Sequence, residues 1–182
     1  MQDETSLVER ARQNDQQAFT KLYEAYFDKI YRYVAVKIGD RAEAEDMTQQ
    51  VFLKALKSIS SFKWKGSPFS AWLYRIAHNL IVDYYRKQNK RAATLQDDVQ
   101  IAGDDDPQES AERKMDLEQV LSATRHLTDA QREVISLRFT GEMSTAEVAR
   151  IMGKSQGAVK ALQHSAINAL RRVMVVHIHE EG

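Results

Sequence analysis

The sequence predicts an all-α protein: two small helical domains joined by a flexible acidic linker, the second of them a helix-turn-helix domain. Three observations lead to this fold class. The 182 residues include only 7 Gly and 2 Pro and few alternating β-branched runs, which favours helices. Helix-capping pairs recur along the chain, and one central stretch is acidic without a helical apolar face. The predicted boundaries are 1–91, 92–112 and 113–182.

The composition argues against several classes of protein. Lys and Arg together number 26, as do Asp and Glu, so net charge alone indicates no polyanionic partner. Cysteine is absent, which excludes disulfides and thiolate metal sites. No apolar run approaches the roughly 18 residues of a membrane span, and the N-terminus lacks a signal-peptide core. We therefore expect a cytoplasmic protein without direct membrane insertion.

The first domain contains a helix with two unlike faces. Gly39 ends one helix and Asp40 caps the next, with Glu43 at the capping-box position. The polar, acidic face of this helix comprises Glu45, Asp46, Gln49 and Gln50. The apolar side predicted for burial comprises Met47, Val51, Phe52 or Leu53, Ala55 and Leu56. Taken alone, the segment is best interpreted as an ordinary amphipathic helix with a solvated back.

The loop SSFKWKGSPF, residues 60–69, places Trp64 between Lys63 and Lys65. An exposed aromatic at such a position is costly unless it meets a partner. A single-stranded base can stack on the ring while lysines contact phosphates. Alternatively, Trp64 folds back onto the core, and the loop by itself favours neither interpretation.

The next helix changes character halfway. Ser67 and Pro68 form an N-cap and a first-turn proline, so the helix starts there and runs to about residue 91. Its first half carries an apolar stripe of Trp72, Leu73, Ile76, Ala77 and Leu80. Its second half ends in Tyr84, Tyr85, Arg86, Lys87, Lys90 and Arg91. The stripe is typical of a core-facing helix, whereas the basic end calls for another explanation.

Residues 91–113 carry seven Asp and Glu side chains and Pro107. A metal site is the sharper interpretation of so many carboxylates, but their spacing fits no Ca²⁺ loop pattern. Because the stretch also lacks an apolar face, a solvated linker is the favoured interpretation.

The last domain shows the most specific pattern. Capping boxes at Thr128 and Ser144 start two helices, and the second runs from Thr145 to Met152. A turn at Gly153 and a helix restarting at Ser155 complete a helix-turn-helix, whose second helix can enter the DNA major groove. Its outward positions are Gln156, Lys160, Gln163 and His164, followed by Arg171 and Arg172 for the DNA backbone. No acid occurs between Arg150 and Arg172, which favours DNA binding over a plain helical hairpin.

Several of these segments resemble one family. AEDMTQQVFLKAL, SFKWKGSPFSAWLYRIAHNLIVDYYRKQNKR, LTDAQREVISLRF and MSTAEVARIMGKSQGAVKALQHSAINALRR are similar to bacterial sigma factors of the extracytoplasmic-function (ECF) subgroup. The resemblance covers nearly the whole chain in the same order. It implies an initiation subunit of RNA polymerase, with no cofactor and no enzyme activity of its own. It also implies that the acidic linker threads toward the RNA exit channel.

The resemblance assigns roles to three groups of residues. Those expected to dock on the β′ clamp helices of core RNA polymerase are Asp46, Gln49, Gln50, Phe52 and Leu53. Those expected to read the −10 element and capture a flipped base are Lys63, Trp64, Lys65, Ser67, Asn79, Asp83, Arg86 and Lys87. Those expected to bind the −35 element are Lys154, Ser155, Gln156, Lys160, Gln163, His164, Arg171 and Arg172. The further partners expected are the β flap and an anti-sigma factor that clamps the two domains.

The chain departs from the family pattern at Gln50, Thr128 and Ser165, which stand where relatives often have an acid, a proline and a basic residue. We expect softer clamp docking and modest −35 affinity from the first and last. His177 and His179 in the tail give too few ligands for a metal site. The main rival interpretation is a ligand-sensing regulator that binds duplex DNA, but it leaves the Lys-Trp-Lys loop unexplained. Hydrolase and metalloenzyme motifs are absent from the sequence.

Overall fold

A computed structural model describes residues 3–94 and 122–180, and these residues form helices joined by short turns, without a strand. The helices are α1 (Glu4–Arg12), α2 (Gln16–Ile38), α3 (Arg41–Ser58), α4 (Phe69–Thr94), α5 (Asp129–Ile135), α6 (Thr145–Met152) and α7 (Gln156–Glu180). A 3₁₀ turn (Ile59–Ser61) follows α3, and a π-helical turn (Ser136–Thr140) continues α5. The predicted all-α class is therefore confirmed.

Local capping residues fix where the N-terminal helices begin and end. Asp15 caps α2, since its Oδ1 accepts hydrogen bonds from Gln17 N (3.0 Å) and Ala18 N (3.1 Å). Gly39 ends α2 with φ of 77°, a left-handed conformation that costs glycine little. Asp40 then caps α3 by accepting from the backbone N–H of Glu43 at 2.9 Å. The Glu43 carboxylate itself accepts from the Tyr84 hydroxyl on α4.

The C-terminal helices begin where the sequence predicts, and α6 ends there too. Both capping boxes form: Thr128 with Gln131 at the start of α5, and Ser144 with Glu147 at the start of α6. Gly153 has φ of 63° and ends α6, so the chain turns sharply into α7. Helices α6 and α7 are thus the two helices of a helix-turn-helix.

The apolar core runs through both helical regions. Tyr33, Leu73 and Tyr74 are fully buried in the N-terminal part, and they belong to the same cluster as Leu137 and Val159 of the C-terminal part. Helices α2 and α4 pack against α5, its π-helical turn and α6. The described parts of the chain therefore meet along an extensive interface.

Gly141 shows how closely the two regions approach. A Cβ at this position would lie 2.7 Å from the Leu137 carbonyl oxygen and 3.2 Å from the ring of Tyr74, across the interface. A side chain at residue 141 would therefore push against both the turn and the N-terminal region.

The structure corrects the predicted burial of α3. Of the alternatives Phe52 and Leu53, the buried residue is Phe52 at 4% exposed, whereas Leu53 is 55% exposed. Leu56, which the sequence pattern assigns to the buried side, is 50% exposed. The predicted linker, residues 92–112, lies outside the described residues except for its first three positions, which belong to α4. No helix in the described ranges is long and apolar enough to span a membrane.

Candidate nucleic-acid interface

Helix α4 presents a polar face on the half that the sequence marks as basic. Asn79, Asp83, Arg86 and Lys87 are all exposed, and their spacing places them along one side of the helix. Arg86 Nη1 lies 3.9 Å from Asp83 Oδ1, and both side chains are exposed, so this ion pair is too weak to fix either side chain. The four predicted −10 residues of α4, out of eight in all, therefore form one accessible stripe.

Two tyrosines hold this half of α4 against the rest of the N-terminal region. The Tyr84 hydroxyl donates to Glu43 on α3, and the Tyr85 hydroxyl donates to the backbone carbonyl of Lys37 on α2. Burial, followed by the Glu43 hydrogen bond, raises the pKa of Tyr84 above its usual range. The sequence shows aromatics ahead of the basic residues but not that their hydroxyls position the helix.

The loop between α3 and α4 has Trp64 partly in solvent. Its side chain is 40% exposed, and its ring meets the buried Phe62 edge-on, with centroids 5.0 Å apart. Phe62 in turn packs on Phe69 and Trp72, so the loop is anchored in an aromatic cluster. Lys63 and Lys65 are exposed on either side of Trp64. Trp64 therefore packs on the core through Phe62 and exposes 40% of its surface, so both interpretations of the loop remain predictions.

The exposed side of α3 combines amides, acids and two leucines. Asp46, Gln49 and Gln50 are exposed, and Leu53 extends this surface toward the end of the helix. Leu56, which the sequence interpretation placed in the core, lies one helical turn beyond Leu53 and is also exposed. The structure thus adds a second apolar side chain to the predicted polymerase-docking surface.

Phe52 does not reach that surface. Its ring packs against Tyr23, with centroids 4.8 Å apart, and against Phe27 at 6.1 Å. Phe52 lies on the side of α3 that packs against α2. Any contact of α3 with a partner is therefore made by the exposed side chains around Phe52. Exposure of a helical position depends on what packs beside the helix, which periodicity alone does not show.

The turn before α7 and the first half of α7 carry exposed polar side chains. Lys154, Ser155, Gln156, Lys160 and His164 are all exposed on the helix-turn-helix. The Ser155 hydroxyl oxygen accepts from Ala158 N at 3.1 Å, so it caps α7. The remaining four side chains are free of core packing and can face a DNA groove.

Two more side chains of α7, the predicted −35 residue Gln163 and the neighbouring Ser165, are held by other elements. Arg138 Nε donates to Gln163 Oε1 at 3.1 Å, which fixes that amide and leaves its NH₂ group to face a ligand. The Ser165 hydroxyl oxygen accepts a hydrogen bond from Gln131 Nε2 at 2.9 Å. Gln131, the capping-box partner of Thr128 in α5, thus also contacts α7, a use of Ser165 that the sequence does not reveal.

Arg171 and Arg172 of α7 are both exposed, so both can contact the DNA backbone. Arg171 also lines a cavity of about 750 Å³ between α7 and α2, beside Lys29 and Arg32. The side chains of the predicted tail histidines, His177 and His179, lie outside the described side chains. Within the described ranges, no group of His, Asp and Glu could hold a metal ion.

Two family models match the chain in order. "Sigma-70 region 2" matches residues 22–91 and therefore covers nearly all of α2, α3 and α4. "Sigma-70, region 4" matches residues 124–172, which include α5, α6 and most of α7. Together they cover the surfaces described above.

Curated relatives carry related names. The chain is 38% identical over 170 residues to the ECF RNA polymerase sigma factor BldN of Streptomyces coelicolor, covering 92% of this chain and 64% of BldN. It is 34% identical to SigW and 30% identical to SigX, two ECF RNA polymerase sigma factors of Bacillus subtilis, covering 93% and 84% of their lengths. These matches cover 91% and 87% of this chain.

Solved structures share the fold. CnrH, solved in complex with the cytosolic domain of CnrY, superposes with a TM-score of 0.68 at 27% identity, covering 93% of this chain and 96% of CnrH. The sigma factor RpoE of Bartonella quintana, solved with the anti-sigma factor NepR, gives a TM-score of 0.71 at 24% identity. That match covers 87% of this chain and 97% of RpoE.

Proposed function

The chain belongs to the extracytoplasmic-function sigma factors of the sigma-70 family, and we propose that it binds core RNA polymerase, recognises −35 and −10 promoter elements, helps open the DNA and directs transcription initiation. The observation that carries this proposal is the order of the two matched regions, the first ending in the exposed stripe of α4 and the second containing the helix-turn-helix. The chain spans 64% of BldN, so these activities are proposed for this chain from its own surfaces.

The −10 element is assigned to α4 and the loop before it. The stripe formed by Asn79, Asp83, Arg86 and Lys87 offers an amide, a carboxylate and two cations to base edges and phosphates. In the loop before α4, Trp64 has an exposed ring surface on which an extruded base can stack, and flanking lysines can meet the backbone. The anchoring of α4 by Tyr84 and Tyr85 keeps this stripe in place.

The −35 element is assigned to α7. Gln156, Lys160 and His164 lie on the exposed face of the helix-turn-helix, and amides and cations there can contact bases and phosphates of the major groove. Arg172 supplies a backbone contact further along the helix. Because Gln163 Oε1 already accepts a hydrogen bond from Arg138, we assign its NH₂ group as the donor to DNA.

Docking on the polymerase is assigned to the exposed side of α3. Leu53 and Leu56 supply apolar area that is costly to leave in water, and Asp46, Gln49 and Gln50 surround it with polar groups. An apolar centre with a polar rim is the usual composition of a protein interface. We assign this surface to the β′ clamp helices, and the C-terminal region to the β flap.

Regulation by an anti-sigma factor in the cytoplasm is proposed from the relatives. CnrH was solved with the cytosolic domain of CnrY, and CnrH shares this fold over most of its length. The chain has no cysteine, so we expect oxidants to act on its activity only through such a partner.

The proposal is tested by binding and footprinting with core RNA polymerase. We expect the purified chain to bind core polymerase, and the Leu53→Asp variant to bind at least about tenfold more weakly, since a charge replaces an apolar contact. The matched control is Gln17→Asp, which places the same acid on an exposed position of α2. Leu7→Asp would not serve, because Leu7 packs on the core. The holoenzyme should protect two DNA segments, one at −35 and one at −10. Protection of duplex DNA by the chain without polymerase, and no binding to core polymerase, would favour the ligand-sensing regulator instead.

A further inference from the structure

A buried carboxylate joins the two helical regions, and none of the residues that hold it is assigned to DNA or polymerase binding above. Glu133 on α5 is only 3% exposed. Its Oε1 accepts from the Tyr33 hydroxyl on α2 and lies 3.0 Å from Nδ1 of His78 on α4. Its Oε2 lies 2.6 Å from Nζ of Lys37 on α2. We call these four residues the interdomain latch, because one C-terminal side chain is held by three N-terminal ones.

The surroundings keep Glu133 ionised. Burial alone would raise the pKa of Glu133, but the His78 hydrogen bond and the charge of Lys37 outweigh burial and lower the pKa to about 2. Lys37 Nζ lies 2.6 Å from Oε2 and forms a close ion pair with it. Lys37 and Glu133 have 12% and 4% of their side chains exposed, so water screens this pair little.

Other contacts run parallel to the latch. Lys37 Nζ also donates to the Asp129 carbonyl oxygen at 3.4 Å, and Arg150 Nη1 of α6 donates to Ser67 Oγ at 3.2 Å. The charged and titratable groups that line the cleft beside the latch are Tyr85 and Arg86 of α4 and Asp129 and Arg132 of α5. The contact between Arg150 and Ser67 joins the helix-turn-helix to the loop assigned to the −10 element.

This packing conflicts with simultaneous promoter contacts. Positions −35 and −10 are about 25 base pairs apart, which is roughly 85 Å along B-DNA at 3.4 Å per base pair. Yet Ser67 of the −10 loop and Arg150 of the helix-turn-helix are in hydrogen-bond contact. Both DNA-binding regions cannot reach their elements while these contacts persist. Residues 95–121, 27 in number, have a fully extended length of roughly 90 Å, which is enough to let the regions separate.

We propose that the interdomain latch holds the packed arrangement, a closed state of the free chain, and that the latch must release before both promoter elements can be engaged. This rests on the proposed function, because the required separation comes from the positions of the two elements. The latch suits such a device, since its polar groups return to water when the regions part. Opening therefore leaves no charge buried without a partner.

The test measures the distance between the two regions in the full chain. Because the sequence has no cysteine, Gln17→Cys on α2 and His126→Cys before α5 provide two exposed sites for spin labels. Double electron–electron resonance then measures the distance between the labels. This labelled chain is compared with the same chain carrying Glu133→Gln, which removes the charge but keeps the shape. Glu24→Gln is the matched control, an exposed acid on α2.

We expect one short, narrow distance for the labelled parent chain and for Glu24→Gln. In Glu133→Gln the ratio of closed to open chain should fall at least about tenfold, because loss of one partner of a buried ion pair strongly favours separation of the rest. A Glu133→Gln distance distribution equal to that of the control overturns the latch. Long distances between the labels in the parent chain would overturn the latch as well.

Tyr33→Phe keeps the test decisive if Glu133→Gln fails to fold by circular dichroism. It removes only the hydroxyl that donates to Glu133, and we expect a smaller shift toward longer distances. An unchanged distribution in Tyr33→Phe would then overturn the latch.

Core polymerase and promoter DNA are added last to separate this proposal from the proposed function. We expect the label distance in the parent chain to lengthen as transcription starts. Transcription from a chain whose label distance stays short overturns the closed state. If no transcription starts at any promoter, the proposed function fails, while the distances in the free chain still decide whether Glu133 holds the regions together.

Discussion

Replacement of Trp64 by alanine separates a role in strand opening from a role in folding. The ring is 40% exposed and packs edge-on against Phe62, with centroids 5.0 Å apart. Removing a fully buried Trp costs about 3–5 kcal/mol, and an aromatic pair contributes about 0.5–1.5 kcal/mol beyond its area. Since much of this ring is already in solvent, we expect Trp64→Ala to lower the free energy of unfolding by about 1–2 kcal/mol.

We expect Trp64→Ala to affect strand opening more than it affects folding stability. Stacking of one base on an aromatic ring contributes about 1–3 kcal/mol, which offsets part of the few kcal/mol needed to extrude the base. We therefore expect Trp64→Ala to weaken open-complex formation roughly 5- to 150-fold, with little change in closed-complex binding. Permanganate reactivity of promoter thymines measures opening, and a template unpaired across the −10 region should restore most of the activity.

Two controls identify the cause. Trp64→Phe keeps a ring on which a base can stack, so it should retain most of the opening activity. Trp72→Ala removes a neighbour from the same aromatic cluster, where Trp72 packs on Phe62 and Phe69. It should lower the melting temperature more than Trp64→Ala, and unpaired DNA should not rescue it selectively. Equal defects in closed binding and opening for Trp64→Ala, without rescue by the unpaired template, would refute the stacking role.

Three further predictions concern salt, pH and helix capping. Replacing Lys160 and Arg172 together by Gln should reduce the salt slope of promoter affinity by about 2, because each phosphate contact contributes about 0.9, and an unchanged slope would rule out phosphate contacts. Because the pKa of Glu133 is lowered from 4.5 to about 2, its contribution to stability is present above pH 4.5 and is lost as pH falls toward 2. Acid unfolding of Glu133→Gln should therefore be less steep over that range, and an identical profile would contradict the lowered pKa. Ser144→Ala should cost about 1 kcal/mol in urea unfolding, since it removes the cap of α6, whereas no loss would show that the capping box adds little.

Local sequence signals predict the helix boundaries well. Asp40, Ser144 and Gly153 act through hydrogen bonds or dihedral angles within a few residues of themselves, so their roles are visible in the sequence. The same holds for the basic half of α4, whose exposed stripe follows from helical spacing.

Features that depend on distant contacts could not be predicted in this way. Leu53 and Leu56 satisfy a helical apolar pattern, yet no described helix covers them, so they remain exposed. Glu133 is an unremarkable acid in the sequence, and only the packing of α5 on α2 and α4 surrounds it with a tyrosine, a lysine and a histidine. The pairing of Ser165 with Gln131 likewise crosses 34 positions of the chain.

Reconstituted transcription tests the central assignment most directly. Core RNA polymerase is combined with the purified chain and a library of promoter DNA, and the transcripts are mapped to their first nucleotide. The account predicts that the chain makes core polymerase start at defined positions, each preceded by shared sequence near −35 and −10, and that core polymerase alone does not. Starts that are equally distributed with and without the chain would contradict it.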